Sequence, residues 1–216
     1  AWGRRQTIID KASQLIEWMD GAPYDFILHH EEADRKPFTD FRHRTFQPTD
    51  ALYFLEFFQQ YYREYESLET AFSRHMKPDA VDITDALDGF RKEFFDLPYA
   101  PKRTEKHVAA PWKGSTCKRL NMFLRWMVRS DDRGVDFGIW NDIRSDQLCL
   151  PLDVHVERKA RALGLLERKQ RDWKAVLELT ARMKAFDAED PARYDFALFG
   201  MSIAEKEGLF PGEKDK

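Results

Sequence analysis

The chain has 216 residues, 14% of them aromatic and 34% charged, and a formal net charge of −3. A chain of this size and aromatic content builds a packed core rather than staying disordered. Two cysteines exclude a disulfide framework, a four-cysteine zinc site and a four-cysteine iron–sulfur cluster. Low cysteine use, no signal-peptide pattern and no apolar run beyond 51–58 predict a cytoplasmic protein that does not enter a membrane. The chain begins at Ala1 without a methionine, so a trimmed N-terminus is expected. The net charge conceals segregation. Residues 102–129 hold eight Lys and Arg against one acid, 155–174 hold seven against three, and 187–216 hold eight acids against four bases. Such a pattern suits a basic groove for a polyanion on an acidic body, or a set of solvated helix faces.

Helical spacing dominates and strand alternation is scarce, so the expected fold class is all-α with seven or eight helices. The first helix is expected over Thr7–Met19, closed by Gly21 and Pro23. Residues 26–48 read as irregular, with two prolines and the run His29-His30-Glu31-Glu32, whose adjacency does not suit convergence on one metal ion. Thr49 is the expected N-cap of a central helix reaching Tyr65, apolar on two sides through Leu52, Leu55, Phe58 and Tyr62 and through Phe54, Phe57 and Tyr61. Another helix is expected from Asp82 or Thr84 to Phe95, closed by Pro98 and Pro101.

The best-specified helix follows. Leu120, Phe123, Leu124, Met127 and Val128 form an apolar stripe, while Lys118, Asn121, Arg125 and Arg129 share another strip. A loop over 130–150 leads to Pro151 and Asp153, which open a helix that Gly164 stops. Asp172 is expected to cap a helix with Trp173, Val176, Leu177, Thr180 and Met183 inward. Asp190-Pro191 reads as an N-cap and first-position proline for a last helix ending near Gly208, and 213–216 as a frayed end.

Two stretches carry a resemblance. Gly114-Ser115-Thr116-Cys117-Lys118-Arg119-Leu120-Asn121 and Pro151-Leu152-Asp153-Val154-His155-Val156-Glu157-Arg158 are similar to the core of the helix-hairpin-helix DNA glycosylase superfamily (HhH-GPD). There, an LPGVGxKTAN hairpin precedes a PVDTHVxR segment. Phe196-Ala197-Leu198-Phe199-Gly200-Met201 resembles the family's terminal segment. Lys118 and Asp153, 35 positions apart, have a spacing similar to the archaeal 8-oxoguanine glycosylase branch. The run CKRLNMFLRWMVR is also similar to a bacterial family of uncharacterised proteins. The hairpin departs from the superfamily pattern: its second glycine is missing, and Trp112-Lys113 replace Leu-Pro.

The resemblance implies a two-lobed helical domain, roughly 1–25 with 165–216 and then 26–164, with a degenerate hairpin. It implies action on double-stranded DNA with a flipped nucleotide, in the bacterial cytosol or nucleoid, without cofactor or metal; a monomer is favoured, with the oligomeric state left open. Lys118 falls on the nucleophilic lysine and Asp153 on the catalytic aspartate. An amine attacks the anomeric carbon only when neutral, which requires lowering its pKa from ~10.4 toward ~7–8. Neighbouring cations, here Arg119 and Arg125, are one means. Lys113, Gly114, Ser115, Arg119, Arg125 and Arg158 are the expected nucleic-acid contacts. Trp2, Trp140, Phe196 and Phe199 are candidates for the base pocket or wedge, with core packing as the competing role for the two phenylalanines. The expected activity is excision of an oxidised or otherwise damaged base with AP-lyase cleavage through a lysine Schiff base. The alternative is a glycosylase-like fold that binds nucleic acid without cutting it.

Overall fold

The computed structural model describes residues 2–209. Ala1 and the expected frayed end at 213–216 lie outside the described residues. Nine α-helices follow in order among the described residues: α1 (Arg5–Trp18), α2 (Pro23–His29), α3 (Pro48–Glu64), α4 (Thr70–Ser73), α5 (Thr84–Phe94), α6 (Lys118–Val128), α7 (Val154–Ala162), α8 (Trp173–Lys184) and α9 (Asp195–Lys206). Short 3₁₀ turns punctuate them, and the only extended pairings among the described residues are isolated bridges, His43 with Phe46 and Ser130 with Phe137. The fold is all-α.

Several local expectations need correction. The stretch read as irregular contains the second half of α2 and a 3₁₀ turn over Ala33–Asp40. Pro23 sits in the first turn of α2, where its fixed φ and missing N–H cost nothing, so it starts a helix rather than ending one. The central helix is capped at Gln47, not Thr49: the Asp50 carboxylate accepts the Gln47 amide at 2.8 Å, and Pro48 takes the first position. Asp190 caps nothing with its side chain; a 3₁₀ turn over Pro191–Tyr194 intervenes before α9.

The chain divides into two compact units. One comprises residues 1–72 and 89–108, the other 73–88 and 109–216. The first is organised by α3, which buries two sides. Ile27, Phe38 and Leu55 form one cluster, onto which Leu15, Trp18, Met19, Phe26, Leu52, Phe58 and Tyr62 pack. On the other side Phe57 lies 4.4 Å from Phe94 between ring centroids, and the Tyr53 hydroxyl donates to the Phe94 carbonyl at 2.5 Å. Leu15, Trp18 and Met19 of the N-terminal helix thus pack against their sequence neighbours. Asp50, fully buried at the head of α3, accepts from Arg103, from Thr104 Oγ1 at 2.7 Å and from His107 Nε2 at 3.1 Å. Burial opposes its ionisation, but these donors and the Gln47 amide hold its carboxyl below the ordinary value.

The second unit is built on the buried segment Leu148–Leu152 and on α8. Asp172 caps α8 as expected, accepting the Ala175 amide at 3.1 Å. The inward face of α8 is Trp173, Ala175, Val176, Leu179, Thr180 and Met183, with Leu177 half-exposed. Thr180 Oγ1 accepts the Leu150 amide at 3.2 Å, and Trp173 Nε1 donates to Thr84 Oγ1 at 2.9 Å. α7 and α9 pack together, and Arg158 donates to the Ser202 carbonyl at 2.7 Å.

Candidate functional site

α6 starts at Lys118 and α7 starts just after Asp153. The two side chains meet: Lys118 Nζ lies 2.8 Å from Asp153 Oδ2. The duties of the two carboxylate oxygens are divided. Oδ1 accepts the amides of His155 and Val156, each at 2.9 Å, and so closes the N-terminus of α7. Oδ2 is thereby aimed away from its own helix and toward the amine. The Asp153 side chain is 13% exposed and that of Lys118 30%, so the pair is reachable from solvent without being immersed in it. Burial works against ionisation of Asp153, but the Lys118 ammonium and the two amides outweigh it and hold the carboxyl below the ordinary value. At neutral pH the group is a carboxylate.

The approach to Lys118 is tightly turned. A 3₁₀ turn over Pro111–Lys113 ends on Gly114, whose φ of 73° is left-handed. The second left-handed residue is Cys117, at φ 48°, directly before α6, and its amide donates to Ser115 Oγ at 3.1 Å. Thr116, which stands at the missing glycine, does not adopt a positive φ. Lys113, Gly114 and Arg119 are exposed and Ser115 is half-buried.

The polar strip on α6 behaves differently from a solvated face. Asn121 is 0% and Arg125 3% exposed. Arg125 forms ion pairs with Asp136, at 3.2 Å, and with Asp195, while Arg129 pairs with Asp136 and, at 2.8 Å, with Asp190. Arg125 is therefore removed from the set of cations facing solvent, and its expected contact with a phosphate is corrected. Its charge is consumed inside the second unit, holding the 130–150 loop and the start of α9 against α6. Arg158 is exposed, but its guanidinium also donates to Ser202 Oγ at 2.6 Å.

The four candidate rings separate into three situations. Trp2 belongs to the first unit, between His43 and His107, with the Arg44 guanidinium 5.3 Å from its ring centroid. Trp140 is buried, edge-on to Phe123 at 5.3 Å, and packs as core rather than as a pocket wall or wedge. Phe196 and Phe199, one turn apart on α9, are both exposed. Phe196 covers Arg125, 4.1 Å from guanidinium to centroid, and Phe199 meets the His155 ring at 5.3 Å. Because Arg125 lies two turns along α6 from Lys118 and His155 two residues beyond Asp153, this pair of rings borders the two segments that carry the ion pair.

Two residues around the pair had no assigned role in the sequence reading. Asn121 Nδ2 donates to the Thr116 carbonyl at 3.2 Å and reaches the Leu150 carbonyl at 3.5 Å, bridging the turn before Lys118 and the segment before Asp153. Its position three residues after Lys118 on the same strip was the available signal. His155 has a buried Nδ1 without a hydrogen-bond partner, as does Asn121 at Oδ1. No group of three His, Cys, Asp or Glu among the described residues could hold a metal ion. His29 is instead bound through Nδ1 to the Asp25 carbonyl. No helix of the described residues is long and apolar enough to cross a membrane.

No curated protein matches the chain, and no solved structure matches it either. A family profile covers residues 1–204, and by that match the chain belongs to DUF2400, a family described as protein of unknown function.

Proposed function

We propose that this chain is a DNA base-excision glycosylase with AP-lyase activity, on a glycosylase-like helical fold, acting on a damaged base flipped out of double-stranded DNA. The observation that carries the reading is the 2.8 Å contact between Lys118 and Asp153, two residues 35 positions apart at the heads of two helices. A purely structural N-cap needs no amine on its second oxygen. In the proposed reaction Asp153 takes a proton from the Lys118 ammonium, and the freed amine attacks C1′ of the extruded nucleotide. The glycosidic C–N bond breaks, and the base leaves with the bonding electrons and is protonated. Loss of one of the two amine protons gives an aminal, protonation of O4′ as the C1′–O4′ bond opens leaves the protonated Schiff base, and removal of a C2′ proton then expels the 3′ phosphate by β-elimination. The same carboxylate stabilises positive charge on the sugar in the transition state. The exposed rings of Phe196 and Phe199 offer apolar faces for an extruded base. Lys113, Ser115, Arg119 and Arg158, none of them buried, are the groups proposed for the flanking phosphates.

A second reading, a nucleic-acid-binding protein that does not cut, is favoured by the turn itself. Thr116 stands where a glycine would let backbone amides approach a phosphate closely, and Lys118 could then serve as a phosphate contact. Borohydride trapping on duplexes carrying an oxidised base or an abasic site separates the two. The glycosylase reading predicts a covalent protein–DNA adduct that is lost in Lys118→Gln. Salt-sensitive binding with no adduct on any lesion selects the binder. Absence of salt-dependent DNA binding overturns both.

A further inference from the structure

Residues 12–34, running from the middle of α1 through α2, carry six Asp and Glu and no Lys or Arg. The chain turns sharply between the two helices. Asp20 and Gly21 are left-handed, at φ 55° and 71°, and the Gly21 and Ala22 amides donate to the Ile16 and Met19 carbonyls, each at 2.9 Å. A cavity of about 290 Å³ opens beside this turn. Asp20, Asp25 and Asp34 bring carboxylates to its lining, Met19 and Phe26 apolar surface, and His30 an imidazole. None of the three aspartates has an ion-pair partner among the described residues. Asp34 accepts the Glu31 amide at 2.9 Å, and Arg35 beside it is turned to Glu56 at 2.6 Å and Gln59 at 3.0 Å. Neither Arg35 nor the exposed Lys36 lines the cavity.

A second observation at the same place points to a ligand. His30 is 6% exposed, and its ring stacks on that of Phe26 with centroids 4.9 Å apart. Its Nδ1 faces the Phe26 and Ile27 carbonyls at 2.9 and 3.1 Å. A carbonyl only accepts, so Nδ1 carries the proton and Nε2 of the neutral ring presents a lone pair. Gln59 Nε2, which donates to the His30 carbonyl at 2.9 Å, stands farther off, 3.4 Å from Nδ1. His30 Nε2, on the ring edge turned away from those carbonyls, is buried with no hydrogen-bond partner. A buried acceptor left unmet is costly, and an N–H donor entering the cavity removes that cost. Three requirements therefore coincide: positive charge for the carboxylates, an N–H for Nε2, and a short hydrocarbon arm for Met19 and Phe26. A metal ion meets only the first, and no group of three His, Cys, Asp or Glu among the described residues could hold one. The volume lies at the lower end of ligand cavities, so the arm is short.

We infer that this cavity binds a small organic cation bearing N–H groups, a primary amine or guanidine on a short aliphatic chain, with His30 Nε2 accepting one N–H and Asp20, Asp25 and Asp34 supplying the counter-charge. The cavity belongs to the first unit and the Lys118–Asp153 pair to the second, so the inference stands or falls separately from the nucleic-acid reading. The test is a titration of the full chain, its histidine side chains labelled with ¹⁵N, followed by NMR at neutral pH. Agmatine, with one guanidinium and one ammonium, is the probe. Tetramethylammonium, a cation without N–H, and magnesium chloride are the controls at matched ionic strength. Agmatine is expected to shift the His30 Nε2 resonance to saturation, and neither control is. Asp25→Asn, at an exposed position, should weaken agmatine binding about 1.5- to 5-fold, the range for losing one exposed charge pair. His30→Phe keeps a ring on Phe26 while deleting the acceptor, and should weaken binding about tenfold or more. Far-UV circular dichroism and urea melts report whether each variant folds; if His30→Phe does not, the wild-type titration and Asp25→Asn decide the matter. An unmoved His30 resonance overturns the inference, because the acceptor is then met by water alone. Equal shifts with agmatine and either control also overturn it, since they show only charge gathering at an acidic surface. So does a folded His30→Phe, or an Asp25→Asn, that binds agmatine as tightly as the wild type.

Discussion

Asp153 performs two separable tasks, and two substitutions separate them. Asparagine is as good an N-cap as aspartate, so Asp153→Asn keeps an oxygen for the His155 and Val156 amides while removing the charge opposite Lys118. Asp153→Ala removes both. The ion pair is neither fully solvated nor dry, so its loss falls between the ~0.2–1 kcal/mol of exposed pairs and the several kcal/mol of stranding a buried charge; about 1 kcal/mol is expected. Loss of the cap adds about 1 kcal/mol, so the alanine variant should be destabilised by about 2 kcal/mol. A double-mutant cycle with Lys118→Gln, read by urea denaturation, should return a coupling of about 1 kcal/mol between positions 118 and 153 at neutral pH. The pH dependence has a definite sign. The carboxyl is held below its unfolded value of ~3.9, so the coupling is fully present above that pH and disappears as pH falls through the lowered folded value. An asparagine variant as destabilised as alanine, a zero coupling at neutral pH, or a coupling unchanged in strong acid would refute this division of tasks at Asp153.

Three further outcomes follow from the second unit. Arg125→Ala deletes a buried guanidinium facing Asp136 and Asp195 and should cost about 3–5 kcal/mol in urea melts, far more than Arg119→Ala on the exposed side of α6. Gly134 and Gly138 are both left-handed, but a Cβ on Gly138 would stand 2.6 Å from Ser130 Cβ whereas one on Gly134 meets nothing. Both alanine variants pay ~1–2 kcal/mol of backbone strain, and Gly138→Ala should lose at least about 1 kcal/mol more; equal melting of the two would contradict the packing of that loop. Cys117 and Cys149 are buried, and burial with the nearby Asp82 charge pushes the Cys149 thiol up to about 12. Ellman's reagent at mildly alkaline pH should find neither thiol in the folded protein and both after denaturation.

Local signals marked some elements well. The apolar stripe of α6, the Asp153 cap and Gly164 stop of α7, and the Asp172 cap of α8 all depend on residues within one or two turns of each other, and each lies where periodicity and capping chemistry put it. Where a cue had two local meanings the sequence did not decide between them. Pro23 could end α1 or open α2, Gln47 and Thr49 both precede the same helix, and Asp190 could cap α9 or pair with Arg129.

From residue order alone came the all-α class, the apolar stripe of the helix that carries Lys118, the helix opening at Asp153, and the candidacy of Lys118 and Asp153. Tertiary structure alone decided that the amine and carboxylate touch, that the polar face of α6 is buried and neutralised by Asp136, Asp190 and Asp195, and that Phe196 and Phe199 stay in water while Trp140 does not. The physical reason is range. Capping and periodicity act over three or four residues, whereas which side of a helix meets solvent is set by partners tens of residues away, whose charges turn a hydrophilic strip into an interior one.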